Sequence, residues 1–91
     1  MSDTNLWQGI ERHRITLAAP LLIARGGKGM LACGYINPAT CDKTGEACAI
    51  VTGVKGFDDM LEAKVVAVSR AAAGLGVQVG LSGREALERF R

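Results

Sequence analysis

The chain has 91 residues, with eleven Lys and Arg against nine Asp and Glu; that is one domain, too short for two independent cores, burying only about 60 to 65% of its unfolded surface. A net charge of +2 with no clustered basic face, and Trp7, Tyr35, Phe57 and Phe90 as the aromatic residues, argues against a nucleic-acid partner. The longest apolar run, residues 17–24, contains Pro20 and is far below the roughly 20 residues that span a bilayer, so no membrane partner is expected.

The first residues, Met1-Ser2-Asp3-Thr4-Asn5, lack the basic and then apolar pattern of a signal peptide. Three cysteines are an odd count that does not suit a secreted disulfide framework. Together these predict a cytoplasmic protein. Residues 1–8 read as a flexible leader in which Trp7 is an anchor onto a sheet or a neighbouring subunit, and residues 9–91 as a single α+β domain.

Residues 9–36 read as β structure. Glu11-Arg12-His13-Arg14-Ile15-Thr16-Leu17 runs from polar to apolar, and Leu21-Leu22-Ile23-Ala24 is continuously apolar. The turn Arg25-Gly26-Gly27-Lys28-Gly29 then leads into a strand over Met30-Leu31-Ala32-Cys33-Gly34-Tyr35-Ile36, giving an antiparallel hairpin or meander. Strands this apolar need cover on both faces. With 48% hydrophobic residues and a mean hydropathy of +0.18, a second copy of the chain is the expected cover, which makes residues 9–36 the expected oligomerisation surface.

From Asn37 onward, short helices alternate with short strands, and all strands are expected in one mixed sheet. Asn37-Pro38 opens a helix and Thr44-Gly45 closes it. Ala47-Cys48-Ala49-Ile50-Val51 is a buried strand, and Phe57-Asp58-Asp59-Met60-Leu61-Glu62 a short helix with acids in its first turn. Residues 64–75 carry both signals: Val65, Val66 and Val68 favour a strand, while Val65, Val68, Ala72 and Leu75 fall at helical spacing before Gly74. The segment is read as a helix. Gly76 to Gly80 reads as a short strand and turn, followed by a capped terminal helix.

The strand Met30-Leu31-Ala32-Cys33-Gly34-Tyr35-Ile36, the block Val51-Thr52-Gly53-Val54-Lys55-Gly56-Phe57-Asp58-Asp59-Met60-Leu61 and the closing Leu75-Gly76-Val77-Gln78-Val79-Gly80-Leu81-Ser82-Gly83-Arg84-Glu85-Ala86-Leu87 resemble the YunC-like family of uncharacterised bacterial and archaeal proteins, domain of unknown function 1805. The resemblance spans residues 17–90, and its closing block is the most specific part. It implies a small two-layer α/β domain whose N-terminal β region makes a tetramer. It implies no activity, catalytic residue or cofactor. The short helix carrying Cys41 departs from the family pattern.

Three candidate functions follow, from different classes. The first is a homo-oligomeric structural or interaction module. The second is a protein binding a small anion or nucleotide through Gly80, Ser82, Gly83 and Arg84, since backbone amides at a helix start and an arginine suit a phosphate or carboxylate; the competing reading makes Ser82 and Glu85 a capping box. The third is a thiol-dependent enzyme centred on Cys33, which needs a base or positive surroundings to form thiolate; the competing reading is a buried small hydrophobe, because nothing places His13 beside it.

Cys33, Cys41 and Cys48 match no compact zinc or iron–sulfur spacing, so no metal is expected. A phosphate loop at Gly27-Lys28 would need Gly at position 22 and Ser or Thr at 29, where the chain has Leu22 and Gly29. Asp58 and Asp59 are adjacent on a helix and point about 100° apart, so they do not share a site.

Overall fold

The structure, a computed structural model, describes residues 7–91. Among these described residues nine elements follow one another: β1 (Glu11–Thr16), β2 (Pro20–Arg25), β3 (Met30–Ala32), α1 (Pro38–Thr44), β4 (Cys48–Ile50), α2 (Phe57–Glu62), β5 (Ala67–Val68), α3 (Arg70–Gly74) and α4 (Gly83–Arg89). They build the expected α+β domain on one mixed five-stranded sheet with the strands in chain order. Only β3 and β4 are parallel, joined across α1; the other neighbouring pairs are antiparallel.

The register sorts side chains onto two faces, because successive residues of a strand point to opposite sides. Leu22, Ala24, Leu31 and Ala49 lie on one face and pack with Met60 and Leu61 of α2, Ala72 of α3, and Ala86, Leu87 and Phe90 in or just after α4. Ala32, Cys48 and Ile50 lie on the other and pack with Cys41 of α1. Three helices thus form a layer on one face of the sheet, and α1 covers part of the opposite face.

Local chemistry explains most of the boundaries. The Asn37 side chain accepts from the Ala39 N–H, Pro38 opens α1, and Gly45 ends it in the left-handed conformation at φ 80°, where a Cβ would be strained. Asp59 of α2 accepts from the Lys55 N–H at 3.0 Å, so one of the expected first-turn acids ties down the residue before the N-cap Gly56.

Three expectations are corrected. Residues 64–75 are not one helix: Ala67 and Val68 form β5, and α3 starts at Arg70. Buried Ser69 separates them, its Oγ accepting from the Cys48 and Ala72 N–H groups at 2.9 and 3.4 Å and donating to the Glu46 carbonyl at 2.8 Å. Residues 77–79 are not a strand. Val77 donates back to the Ala72 carbonyl, and sheet-like pairing there is limited to a single bridge between Lys64 and Ser82. The strand read through Ile36 stops at Ala32, and the Ile36 N–H donates to the Cys33 carbonyl at 3.1 Å, so Cys33 stands in the turn that follows.

Of the expected leader, residues 1–6 lie outside the described residues, and Trp7 and Gln8 are tied to the domain. Trp7 meets the Phe57 ring edge-to-face at 5.8 Å, with the Arg12 guanidinium 4.8 Å over its ring. Arg91 donates to the Gln8 carbonyl at 2.8 Å.

Candidate functional site

The closing segment spends its polar groups on the protein itself. Ser82 Oγ accepts from the Glu85 N–H at 3.1 Å, and the Glu85 carboxylate accepts from the Ser82 N–H at 2.9 Å, completing the capping box. The bond from the Ser82 N–H, with the Ser82 hydroxyl adding to it, holds the Glu85 carboxyl below its ordinary range. The cap's contribution is therefore present above the ordinary carboxylate pKa and is lost as pH falls through the lowered value.

The Gly80 and Gly83 N–H groups donate to the Val65 and Ala63 carbonyls at 2.9 and 2.8 Å. Arg84 reaches the Glu62 carboxylate at 3.3 Å. Gly80, Ser82, Gly83 and Arg84 are thus brought together, but as the seam joining α4 to α2 and to the segment before β5. A Cβ on Gly83 would collide with the Met60 carbonyl oxygen, so this glycine sets the approach of α4 to α2.

The second glycine-rich segment is also a seam. The turn after β2 closes through a Gly26 N–H to Gly29 carbonyl bond at 2.8 Å, and the Lys28 N–H donates to the Phe90 carbonyl at 2.7 Å. A Cβ on Gly26 would collide with that same carbonyl. The hairpin turn reading holds, with the added role of clamping the last residues of the chain.

Cys33 lies at the end of β3 and is 4% exposed. Its Sγ accepts from the Leu22 N–H at 3.3 Å. It lines a crevice of about 290 Å³, with Gly34 and Tyr35 beside it, Thr52, Gly53 and Val54 across from it, and the β1–β2 turn closing one end. His13 is on β1, opposite Ile23 and 3.6 Å from the Glu11 carboxylate. It does not line this crevice, and neither do the residues of the closing segment. Composition and spacing gave no notice that residues 52–54 would face Cys33; the available signal was a strand, helix and strand in sequence, which places two strand ends side by side.

Cys41 and Cys48 are buried free thiols in the smaller cluster beneath α1. Burial, with the neighbouring Cys41 thiol adding to it, pushes the Cys48 thiol up from 9.0 to about 12. Above pH 9.0 the unfolded chain releases this proton while the folded chain keeps it. Stability from this group is therefore full below the ordinary thiol pKa and is lost as pH rises through the folded value. The urea midpoint is expected to fall more steeply between about pH 8 and 10.5 in the wild type than in Cys48→Ala. Equal slopes would show that Cys48 titrates alike folded and unfolded. Among the described residues, no group of three or more His, Cys, Asp or Glu is arranged to hold a metal ion, and no helix is long and apolar enough to cross a membrane.

A parallel β–α–β unit extended on both sides by antiparallel strands, with a terminal helix locked by a buried glycine and a capping box, defines a small α+β protein with its own fold signature. Residues 32–90 match the family model described as Domain of unknown function (DUF1805), and the chain belongs to that family. It is 38% identical over 63 residues to the uncharacterized protein YunC of Bacillus subtilis (strain 168), a match covering 65% of this chain and 62% of that relative's length. It is also similar to the crystal structure of a protein of unknown function, TA1206, from Thermoplasma acidophilum. That likeness has a TM-score of 0.78 at 34% identity and covers 90% of this chain and 93% of the other.

Proposed function

We propose that this protein is a homo-oligomeric structural or interaction module of the cytoplasm whose copies meet through the N-terminal hairpin. The observation that carries the reading is β1: it is an edge strand of the sheet, and all six of its residues are exposed. An open strand edge offers unpaired backbone groups to another chain. Near its end, Ile15 is 54% exposed, and Leu17 just beyond it is 46% exposed. Arg12 and Arg14 of the same strand turn to the domain, Arg12 over Trp7 and Phe57 and Arg14 to the Lys55 carbonyl. The apolar side of the strand end is left to a partner.

A second copy of the same hairpin suits that surface, because an isologous contact places an edge strand against itself. The family resemblance supports four copies. The free thiols suit a reducing compartment. Light scattering on the eluting peak at micromolar concentration is expected to give a multiple of the 9.5 kDa chain, and an Ile15→Asp, Leu17→Asp double variant a well-folded single chain by circular dichroism. A wild type that elutes as a folded monomer would sink the proposal.

A further inference from the structure

Among the described residues one strand pair is parallel, and it creates a feature that the oligomer reading does not use. Parallel neighbours β3 and β4 end at the same edge of the sheet, so the loops after them leave side by side. The loop after β3 runs to α1, which packs through Cys41 on Ala32, Cys48 and Ile50. The loop after β4 runs to α2, which packs through Met60 and Leu61 on the opposite face with Leu22 and Leu31. Two adjacent loops that depart to opposite faces leave a gap between them. Open α/β sheets bind their ligands at such gaps, outside the carboxyl ends of the strands. Here the gap is the Cys33 crevice, with 33–35 from one loop and 52–54 from the other.

We propose that this crevice binds a small uncharged molecule carrying a carbonyl oxygen on an apolar body. Size sets the first limit: about 290 Å³ is at the low end of ligand pockets, room for a single substituted ring and not for a nucleotide. Charge sets the second, because no residue lining the crevice is ionic at neutral pH.

The hydrogen-bond inventory sets the third. Cys33 Sγ accepts from the Leu22 N–H, which leaves the buried thiol's own proton without an acceptor among the described residues. The Tyr35 hydroxyl accepts from the Ala19 N–H at 3.4 Å and likewise keeps its proton to give. The buried thiol and the half-exposed Tyr35 hydroxyl are donors at a mostly apolar crevice whose other side-chain polar group is the Thr52 hydroxyl, so an acceptor on the ligand suits them. Gly34 keeps the space open: a Cβ there would meet only Thr52 Cγ2, at 3.4 Å. A larger side chain can therefore start from this position without a backbone clash.

The test is a titration of the intact protein with benzamide, and separately with the near-isosteric anion benzoate, followed by 15N–1H correlation spectra. Benzamide is expected to give saturable shifts at the amides of Gly34, Tyr35, Gly53 and Val54, with benzoate at least tenfold weaker. Gly34→Leu is expected to weaken the benzamide response at least tenfold. In the wild type, saturating benzamide is expected to slow iodoacetamide labelling of Cys33 at least threefold, which keeps the proposal testable should the variant fail to fold. Shifts centred elsewhere, equal response to benzoate, an unchanged response in folded Gly34→Leu, or no protection of Cys33 would each overturn it. So would a silent titration in which a neighbouring copy closes the crevice.

Discussion

Gly83→Ala is expected to cost about 3 kcal/mol or more, at the upper end of overpacking penalties, and to lower Tm by about 15 °C for a domain of this size. The added methyl carbon collides with a backbone atom, the Met60 carbonyl oxygen, and also approaches Leu31 Cδ2 to 3.2 Å. A flexible side chain could swing aside, but Met60 belongs to α2. Relief therefore requires α4 to move off α2, and that motion breaks the Gly83 N–H to Ala63 carbonyl bond and opens the core around Ala86 and Leu87, which are both fully buried. The control is Gly74→Ala at the end of α3, where an added Cβ meets nothing within 4 Å; its Tm should change by only a few degrees, since the substitution also restricts the unfolded chain. A Gly83→Ala protein that melts with the wild type would mean that α4 does not approach α2 this closely.

That glycine shows where sequence reasoning reached and where it stopped. Ser82 and Glu85 were legible as a capping box because the motif is local: three residues apart, each satisfying the other's backbone amide. Asn37, Pro38 and Gly45 were legible as the limits of α1 for the same reason. The role of Gly83 depends on Met60, far away in the chain, and no local pattern announces such a contact. The failure at residues 64–75 has a similar origin. Valine-rich and alanine-rich stretches adjoin there, and helical spacing links them across the break. Ser69 divides them because it is an N-cap whose hydroxyl also serves the distant Cys48 N–H and Glu46 carbonyl. Val77 and Val79 looked like a strand, yet one is buried behind α3 and the other is 62% exposed, with no partner strand beside them. The crevice is the extreme case: Cys33 was visible as a candidate, while its neighbours Thr52, Gly53 and Val54 needed the parallel pairing of β3 with β4, which is a property of the sheet.

Phe90→Ala is expected to cost about 4 kcal/mol, the middle of the range for removing a buried phenylalanine, although the residue is next to last in the sequence given. A residue near a chain end ordinarily frays. Here the ring is 0% exposed, and the backbone is held from both sides: its N–H donates to the Leu87 carbonyl and its carbonyl accepts from the Lys28 N–H. The ring fills the space that a side chain at Gly29 would need, and the carbonyl takes the space of one at Gly26. Removing the ring therefore empties the core at the point where the β2–β3 turn meets α4, and the loosened turn should expose the Lys28 amide. Hydrogen exchange separates this from a purely local cavity. In Phe90→Ala, exchange at Lys28 is expected to accelerate together with that at Phe90's neighbours in α4, while amides of α1 slow or speed only with global stability. If Lys28 stays as protected as in the wild type relative to α1, the clamp between the glycine turn and the chain end does not depend on the ring, and the cost of the substitution is the cavity alone.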